Sequence, residues 1–186
     1  MCEPKNFWVW LLQIVGLLGL LALILWLALR PKPPSYSVDF ISIPQSSDQN
    51  GTIIYNIEIE NPNKESDIYF DDINLSFLYG ENQVAQSTIG SFRQGAGKTN
   101  SMFQSADANR RDLKSIVNAF SNSTAELKAA LMTRFRYKTW GIKSKFHGVR
   151  LQGTLPIGRD GKLSGKKKKY PIKSPSKKTA RFKIKH

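Results

Sequence analysis

The sequence has few of the residues on which disulfide-stabilised proteins and most enzymes depend. Its 186 residues include one cysteine and two histidines, and 14 acidic residues stand against 28 lysines and arginines. Because Cys2 is the only cysteine, an intrachain disulfide is excluded and a folded domain must rely on its hydrophobic core. Cys2 lies just before a long apolar run. It is therefore a candidate for S-palmitoylation, with an inert thiol as the alternative.

Catalytic signatures are also missing. General acid–base catalysis usually needs a histidine or a carboxylate in a cleft, but His186 is the last residue and His147 has no acidic residue within ten positions. No GxSxG nucleophile motif is present. A cluster of four acids lacks the ligand order of an EF-hand and is interpreted as a solvated turn: Glu65, Asp67, Asp71 and Asp72. The sequence predicts a protein that is not an enzyme and has neither a metal site nor a cofactor.

One long apolar run is present, from Phe7 to Leu29, with Gln13 as its only strongly polar residue. A helix of this length rises roughly 34 Å and can cross a hydrocarbon core of about 30 Å. Trp8, Trp10 and Trp26 lie near its ends, where indole rings favour lipid headgroups. A cleaved signal peptide would have a shorter apolar stretch followed by small residues. The run therefore predicts a retained transmembrane helix in a lipid bilayer.

Composition divides the rest of the chain. Residues 1–6 form a short N-terminal tail, 7–29 the transmembrane helix, 30–35 a proline-rich spacer, 36–157 a folded domain and 158–186 a basic tail. The charge is uneven as well. Residues 35–85 carry nine acids and one base, whereas residues 159–186 carry twelve bases and one acid. Such asymmetry indicates a charged partner without specifying which.

Alternation of apolar and polar residues predicts strands in the folded domain. It is clearest at 52–60 and 73–79, and shorter runs at 36–43, 84–89, 101–104, 131–138, 142–146 and 149–157 fit the same pattern. One segment differs, because Leu113, Ile116, Val117 and Phe120 have helical spacing, with Asp107 as the expected N-cap. We therefore expect an all-β domain, a sandwich of about seven strands with one short helix.

Ordered sequence blocks connect the chain to a family. They are the anchor followed by RPKPPSYSV, IENPN at 59–63, SFRQGAGKT at 91–99, DLKSIV at 112–117 and MTRFRYKTWGIKSKFHGVRLQG at 132–153. This set resembles the plant membrane proteins related to non-race-specific disease resistance and harpin-induced proteins, which carry a late embryogenesis abundant domain of the second group. The basic tail departs from that resemblance.

The resemblance has implications for fold and function. It implies a seven-stranded, fibronectin-III-like β-sandwich held outside the plasma membrane by one N-terminal transmembrane helix. It also implies a role in the hypersensitive response to pathogens or in abiotic stress, with no established catalytic activity. Partners expected on this basis are defence-signalling proteins.

Three sequons would allow N-glycosylation if the domain is lumenal or extracellular: Asn50, Asn74 and Asn122. Asn50 and Asn122 lie in predicted loops, which suit a glycan. Asn74 lies inside a predicted strand and is the doubtful one.

Basic residues point to a polyanion. Six tail lysines are the candidate site: Lys166, Lys167, Lys168, Lys169, Lys177 and Lys178. They would bind acidic cell-wall polysaccharide outside a plant cell or anionic lipid inside it, whereas nothing indicates a specific nucleic acid. The alternation of Ala180, Phe182 and Ile184 leaves open a last strand instead of a disordered tail. A second basic group on one predicted strand is interpreted as a solvated face: Arg134, Arg136 and Lys138.

Topology is poorly determined by charge, because Lys5 and the terminal amine on one side nearly balance Arg30 and Lys32 on the other. The resemblance and the sequons favour a cytosolic N-terminus and an extracellular domain at the plasma membrane. The alternative is a cytosol-facing membrane tether, or lipid-binding module, with a polybasic tail.

Overall fold

The computed structural model describes residues 4–28, 30–44, 51–108, 111, 113, 114, 116–118, 125–165 and 168–175. It divides into two units, Met1–Lys32 and Pro33–His186, and the second is called the β-domain below. The first unit contains one helix, α1 (Pro4–Ala28), in which the segment Phe7–Leu27 has a mean hydropathy of 2.4 and buries none of its residues within the protein. This helix is long and apolar enough to cross a membrane.

The β-domain consists mainly of antiparallel strands, as the sequence predicts. Their bounds are β1 (Ser35–Ser42), β2 (Thr52–Glu60), β3 (Ser66–Phe70), β4 (Ile73–Tyr79), β5 (Asn82–Ile89), β6 (Phe92–Gln94), β7 (Thr99–Ala108), β8 (Ala125–Thr139), β9 (Ile142–Lys143), β10 (His147–Ile157) and β11 (Tyr170–Ile172). The all-β class is thus confirmed. The described residues contain eleven strands where about seven were expected, because several are only two to five residues long.

The pairing between strands forms a closed cycle that begins and ends at β11. The order runs β11-β1-β2-β7-β5-β4-β8, and β10 follows on the other side of β8. From β10 a bridge between Gln152 and Lys173 leads back to β11, with backbone hydrogen bonds of 2.7 and 2.9 Å. The link between β7 and β5 is narrow, since only Ala85–Ala108 and Gln86–Asp107 are paired there. The paired strands therefore form one closed sheet around a single core.

The core follows from alternation. In β2 the side chains of Ile53, Tyr55, Ile57 and Ile59 are fully buried, as predicted. Strands β4 and β8 bury every second side chain over much of their length in the same way, whereas β10 buries only Leu155 and Ile157. All these side chains belong to one hydrophobic cluster, which supplies the main driving force for folding.

Two predictions near the acidic cluster and the helix are wrong. The expected solvated turn contains β3, because Ile68 and Phe70 are buried on alternate positions and β3 pairs with β6 and β8. Asp107 is not an N-cap, since it lies in β7 and pairs with Thr52 and Gln86. Ladder hydrogen bonds on both sides keep this residue extended.

The short helix, α2, includes residues 111, 113, 114 and 116–118. Leu113 and Ile116 are buried in the core cluster and Val117 packs against it, so the predicted apolar face is confirmed for these three. Phe120 lies outside the described residues.

The fold extends beyond the expected boundary at residue 157. Strand β11 pairs with β1, and its residues Tyr170 and Ile172 are buried in the core. The sequence alone assigns this segment to the tail, because its two apolar positions are surrounded by lysines and interrupted by Pro171. The alternation at 180–184 lies outside the described residues.

Pairing also shows which loops share an end of the domain. Ser35, where β1 begins, pairs with Glu60, where β2 ends. Asn61 follows Glu60 and donates a hydrogen bond of 2.8 Å to the carbonyl of Ser66, where β3 begins. Ser66 in turn pairs with Thr139, where β8 ends. The turn after Thr139 therefore lies at the same end of the domain as the start of β1, called the Ser35 end below.

Candidate functional site

A surface of cations and aromatic rings covers the outer side of β3, β6, β8 and β9. Along β8, Thr133, Phe135 and Tyr137 are buried, so the alternate residues Arg134, Arg136 and Lys138 point outward. The alternation predicted for this strand is confirmed. Its outward face is not simply solvated, because it contacts aromatic side chains of other elements.

Tyr69 of β3 lies at the centre of this surface. It pairs with Arg93 of β6 on one side and with Arg136 of β8 on the other. The guanidinium carbons of these two arginines lie 5.8 and 5.9 Å from the centre of the Tyr69 ring, and the ammonium nitrogen of Lys143 lies at 5.8 Å. A ring face attracts cations at such distances, so the tyrosine holds three positive groups in one place.

Phe146 adds a second ring. The guanidinium carbon of Arg136 lies 4.9 Å from its centre and that of Arg134 lies 5.6 Å away. The Nε atom of Arg136 is buried and has no hydrogen-bond partner among the described residues. The guanidinium is therefore oriented by aromatic contacts, which leave its hydrogen-bond donors unused by any carboxylate of the described structure.

Two acids of the predicted cluster position neighbouring arginines. Asp67 Oδ2 accepts from Arg93 at 2.6 Å, and Asp71 Oδ2 lies 2.9 Å from Arg134. The hydrogen bond to Asp67 is the main cause that raises the pKa of Arg93, which remains charged. Exposed pairs of this kind contribute at most about 1 kcal/mol to stability. Their effect is to orient the arginines.

A shallow groove of 810 Å³ adjoins this surface. Its lining combines the two acids at the β3–β4 break, the neighbouring strands and two arginines: Asp71, Asp72, Asn74, Ser91, Met132, Thr133, Arg134, Gly148, Val149 and Arg150. Asp72 accepts a hydrogen bond of 2.9 Å from the backbone amide of Ser91, which links the β3–β4 break to that between β5 and β6. The groove combines polar side chains with the apolar side chains of Met132 and Val149.

His147 belongs to a ring cluster. Its ring centre lies 5.9 Å from that of Phe135 and 5.5 Å from that of Tyr137. Among the described residues, no group of three or more histidine, cysteine or carboxylate side chains is close enough to hold a metal ion.

The predicted tail site is described at two positions. Lys168 is exposed, whereas Lys169 donates to Glu58 Oε1 at 2.6 Å, and this hydrogen bond is the main cause that raises the pKa of Lys169. Lys169 therefore contacts an acid of β2 just before β11 begins. The other four lysines lie outside the described residues: Lys166, Lys167, Lys177 and Lys178.

Of the candidate glycosylation and palmitoylation sites, one lies within the described residues. Asn74 is an exposed residue of β4, and its Oδ1 accepts a hydrogen bond of 2.9 Å from Thr88. Asn50, Asn122 and Cys2 lie outside the described residues.

The Asn-Pro-Asn motif has a structural role. The Asn61 side chain is buried and donates to the carbonyls of Ser66 and Gly95 at 2.8 and 3.0 Å. Gln94 is also buried and donates to the carbonyls of Ile59 and Lys98, both at 2.7 Å. These amides satisfy backbone groups that the turns leave without ladder partners, which holds the Ser35 end in shape.

Sequence reasoning missed Tyr69 and Phe146. Tyr69 lies between two buried residues in a segment interpreted as a turn, and Phe146 follows a short strand. The signal for Phe146 is the spacing of cations around aromatic residues between 134 and 150, where six cations occur without an acid. Tyr69 is brought to them only by strand pairing.

Comparisons with known proteins identify relatives. Residues 56–153 match the family model described as late embryogenesis abundant protein. Protein NDR1 of Arabidopsis thaliana is 28% identical over 172 residues, covering 84% of this chain and 77% of that protein. NDR1/HIN1-like protein 3 of the same plant is 29% identical over 153 residues, covering 73% and 66%.

Solved structures of low sequence similarity also match. A solution structure of a late embryogenesis abundant protein aligns at 14% identity with a TM-score of 0.40, covering 69% of this chain and 75% of that one. A solution structure of another Arabidopsis thaliana protein aligns at 12% identity with a TM-score of 0.46, covering 69% and 83%.

Proposed function

The chain belongs to the late embryogenesis abundant group-two family related to NDR1, and we propose that it is a single-pass plasma-membrane protein of plants. In this proposal the β-domain lies outside the cell and acts in defence against pathogens or in abiotic stress by binding, without catalysis. The observation that carries it is the uniformly apolar helix α1, followed by a family domain whose outer surface presents cations and aromatic rings.

Helix α1 supports membrane anchoring. From Phe7 to Leu27 its side chains are apolar on every face apart from Gln13, whereas a helix on the surface of a soluble domain has a polar face. Its backbone amides are satisfied within the helix, which allows it to lie in lipid. The bulky residues Leu27 and Leu29 before Arg30 argue against signal cleavage there.

The relatives support a role in plant defence or stress, and the sequons support an extracellular β-domain. The similarity to NDR1 and to NDR1/HIN1-like proteins motivates a role in plant defence or stress. All three sequons lie on the C-terminal side of α1, and Asn74 is exposed. We therefore place residues 1–6 in the cytosol and the β-domain outside.

The surface chemistry supports a binding role. Arginines held over Tyr69 and Phe146 are oriented donors, suited to carboxylate or phosphate groups of a partner. His147 lies against two rings of the core edge. The β-domain therefore offers recognition chemistry on its surface.

Protease protection tests the orientation. Sealed plasma-membrane vesicles with the right side out are treated with protease, and the β-domain is followed with an antibody. We expect digestion while a cytosolic marker inside the vesicles stays intact. Survival of the β-domain until detergent is added would contradict the proposal and favour the cytosol-facing tether.

The first prediction concerns the anchor and the biological role together. Changing both Leu18 and Leu21 to Arg should abolish insertion, because each centrally placed arginine costs about 2.5 to 3.5 kcal/mol. The matched control changes both leucines to Val. Carbonate-resistant pelleting measures insertion, and ion leakage after bacterial inoculation of leaves expressing each variant measures the defence response. An inserted but inactive control, or an active soluble arginine variant, would contradict the proposed role.

A further inference from the structure

The two-residue turn between β8 and β9 has an unusual composition for its conformation. Trp140 and Gly141 have positive φ, at 49° and 86°, as the favoured hairpin turn requires, but such turns prefer asparagine, aspartate or glycine because the left-handed region is disfavoured for a bulky residue such as tryptophan. Burial does not compensate for that strain, since Trp140 is 72% exposed and Ile142 is 77% exposed. Strain at an exposed apolar residue is a reason to look for a function.

The position of this turn is informative. It lies at the Ser35 end of the domain, because Thr139 pairs with Ser66, which neighbours the end of β2 opposite Ser35. The chain therefore enters the β-domain at the end that presents Trp140. Residues 30–34 are the link between the apolar run and Ser35, and a fully extended link of that length spans at most roughly 18 Å.

Cations surround the turn. Four basic side chains near it form no ion pair with any described acid: Arg136, Lys138, Lys143 and Lys145. The nearby Asp67 and Asp71 are occupied by Arg93 and Arg134. Phe146 is 48% exposed beside these cations. Exposed apolar side chains surrounded by unpaired cations complement a membrane surface, where phosphate groups are exposed and hydrocarbon lies beneath them.

We propose that the turn Thr139–Lys145 binds phosphate-bearing lipid headgroups of the membrane that holds α1, with Trp140 and Ile142 entering the interface. An acidic polysaccharide fits less well, because the aliphatic Ile142 offers a sugar no stacking face and lies next to the tryptophan at the exposed tip. Indole rings favour the headgroup region, and lysines near anionic lipid are attracted electrostatically. The inference rests on the proposed anchoring but not on the side of the membrane.

A single-tryptophan chain tests the contact directly. The protein has four tryptophans, so changing Trp8, Trp10 and Trp26 to Phe leaves Trp140 alone. The full-length variant is placed in nanodiscs of phosphatidylcholine with phosphatidylglycerol, some lipids carrying a headgroup-level nitroxide. We expect blue-shifted emission that the nitroxide quenches. Quenching should weaken in phosphatidylcholine alone and when salt rises from about 0.1 to 1 M, where the Debye length falls from ~10 to ~3 Å.

The matched control moves the reporter. In the same background, Trp140→Phe with Phe103→Trp places the only indole on β7, where Phe103 is 68% exposed. This indole should stay water-exposed and unquenched. A second variant changes Lys138, Lys143 and Lys145 to Gln while Trp140 remains, and we expect at least a several-fold loss of quenching with an unchanged strand signal in circular dichroism.

The outcomes separate the two proposals. Elution of the protein with the nanodisc reports anchoring by α1, independently of the turn. Trp140 that stays unquenched in an anchored protein, or is quenched no more than the Phe103→Trp control, would overturn the inference. A change in Trp140 emission caused by soluble oligogalacturonate, without quenching by lipid, would overturn it in favour of a polysaccharide surface.

Discussion

The helix α1 and the β-domain use apolar residues in opposite ways. From Phe7 to Leu27 the leucines and tryptophans of the helix are exposed on every side, and none of this segment is buried within the protein. The β-domain encloses most of its described isoleucines, with buried leucines, phenylalanines and tyrosines, in one cluster contributed by several strands and by α2. Lipid must surround the apolar residues of the helix, whereas those of the β-domain are surrounded by the rest of the chain. Substitutions in the helix should therefore act through their polarity, and substitutions in the core of the β-domain through their size and shape.

The largest expected effect comes from a cavity in the core. Phe77 is fully buried and its ring meets that of Tyr55 edge to face, with centres 5.2 Å apart. Phe77→Ala should lower the free energy of unfolding of the β-domain by about 3 to 5 kcal/mol. Urea unfolding of nanodisc-bound protein, followed by circular dichroism, measures it. The matched control Leu18→Ala should change nothing in that curve. Equal losses in both variants would end the distinction drawn between the two regions.

Removing β11 should have the next largest effect. Deletion of residues 164–186 removes the pairing of β11 with β1 and the burial of Tyr170 and Ile172. Losing the burial of one such side chain alone costs roughly 1.5 to 3 kcal/mol. At about 2 to 4 °C per kcal/mol for a domain of this size, the melting temperature should fall by roughly 3 to 12 °C. The control changes Lys166, Lys167 and Lys168 to Gln, which removes charge and keeps β11. A larger fall in the control would show that charge, not pairing, matters here.

The smallest expected effect comes from removing one polar atom from the core of the β-domain, which tests whether polarity matters there as it does in helix α1. The hydroxyl of Tyr36 is buried and has no hydrogen-bond partner among the described residues. Burial, and then repulsion from Tyr137, raises the pKa of Tyr36. Tyr36→Phe should leave stability equal or higher by about 1 kcal/mol at neutral pH. The matched control, Tyr69→Phe, removes the hydroxyl of a half-buried side chain on the outer surface.

The pH dependence of the same variant follows from the sign of the shift. A tyrosine with a raised pKa in the folded state contributes fully below its unfolded pKa of about 10, and the contribution is lost as pH rises above that value. Wild-type stability should therefore fall at alkaline pH, and Tyr36→Phe should fall less. Unfolding curves from pH 8 to about 11 check this. Parallel loss in wild type and variant would show that Tyr36 does not titrate with unfolding.

Sequence patterns predicted the elements with long, regular periodicity. Helix α1 agrees with the expected span because its apolar run is unbroken, and β2 and β4 agree because apolar side chains recur at every second position. Strands β3, β6 and β11 were missed because they have three to five residues, too few for a period to emerge among charged neighbours. The outward row of β8 was predicted. The meeting of Tyr69 with Arg136 was not, because it depends on pairing between strands that are far apart in sequence.

The pairing of β1 with β11 has a mechanical consequence. The first residue pair, Tyr36 with Ile172, joins the N-terminal start of β1 to the C-terminal end of β11. A pulling force applied between α1 and the C-terminus would act on these two strands at the same end of their ladder. The force would break the hydrogen bonds between β1 and β11 one after another, instead of loading all of them at once. Only three residue pairs join β11 to β1, and two backbone hydrogen bonds join the adjacent Lys173 to Gln152 of β10. The domain would therefore release β11 under load before its central strands yield.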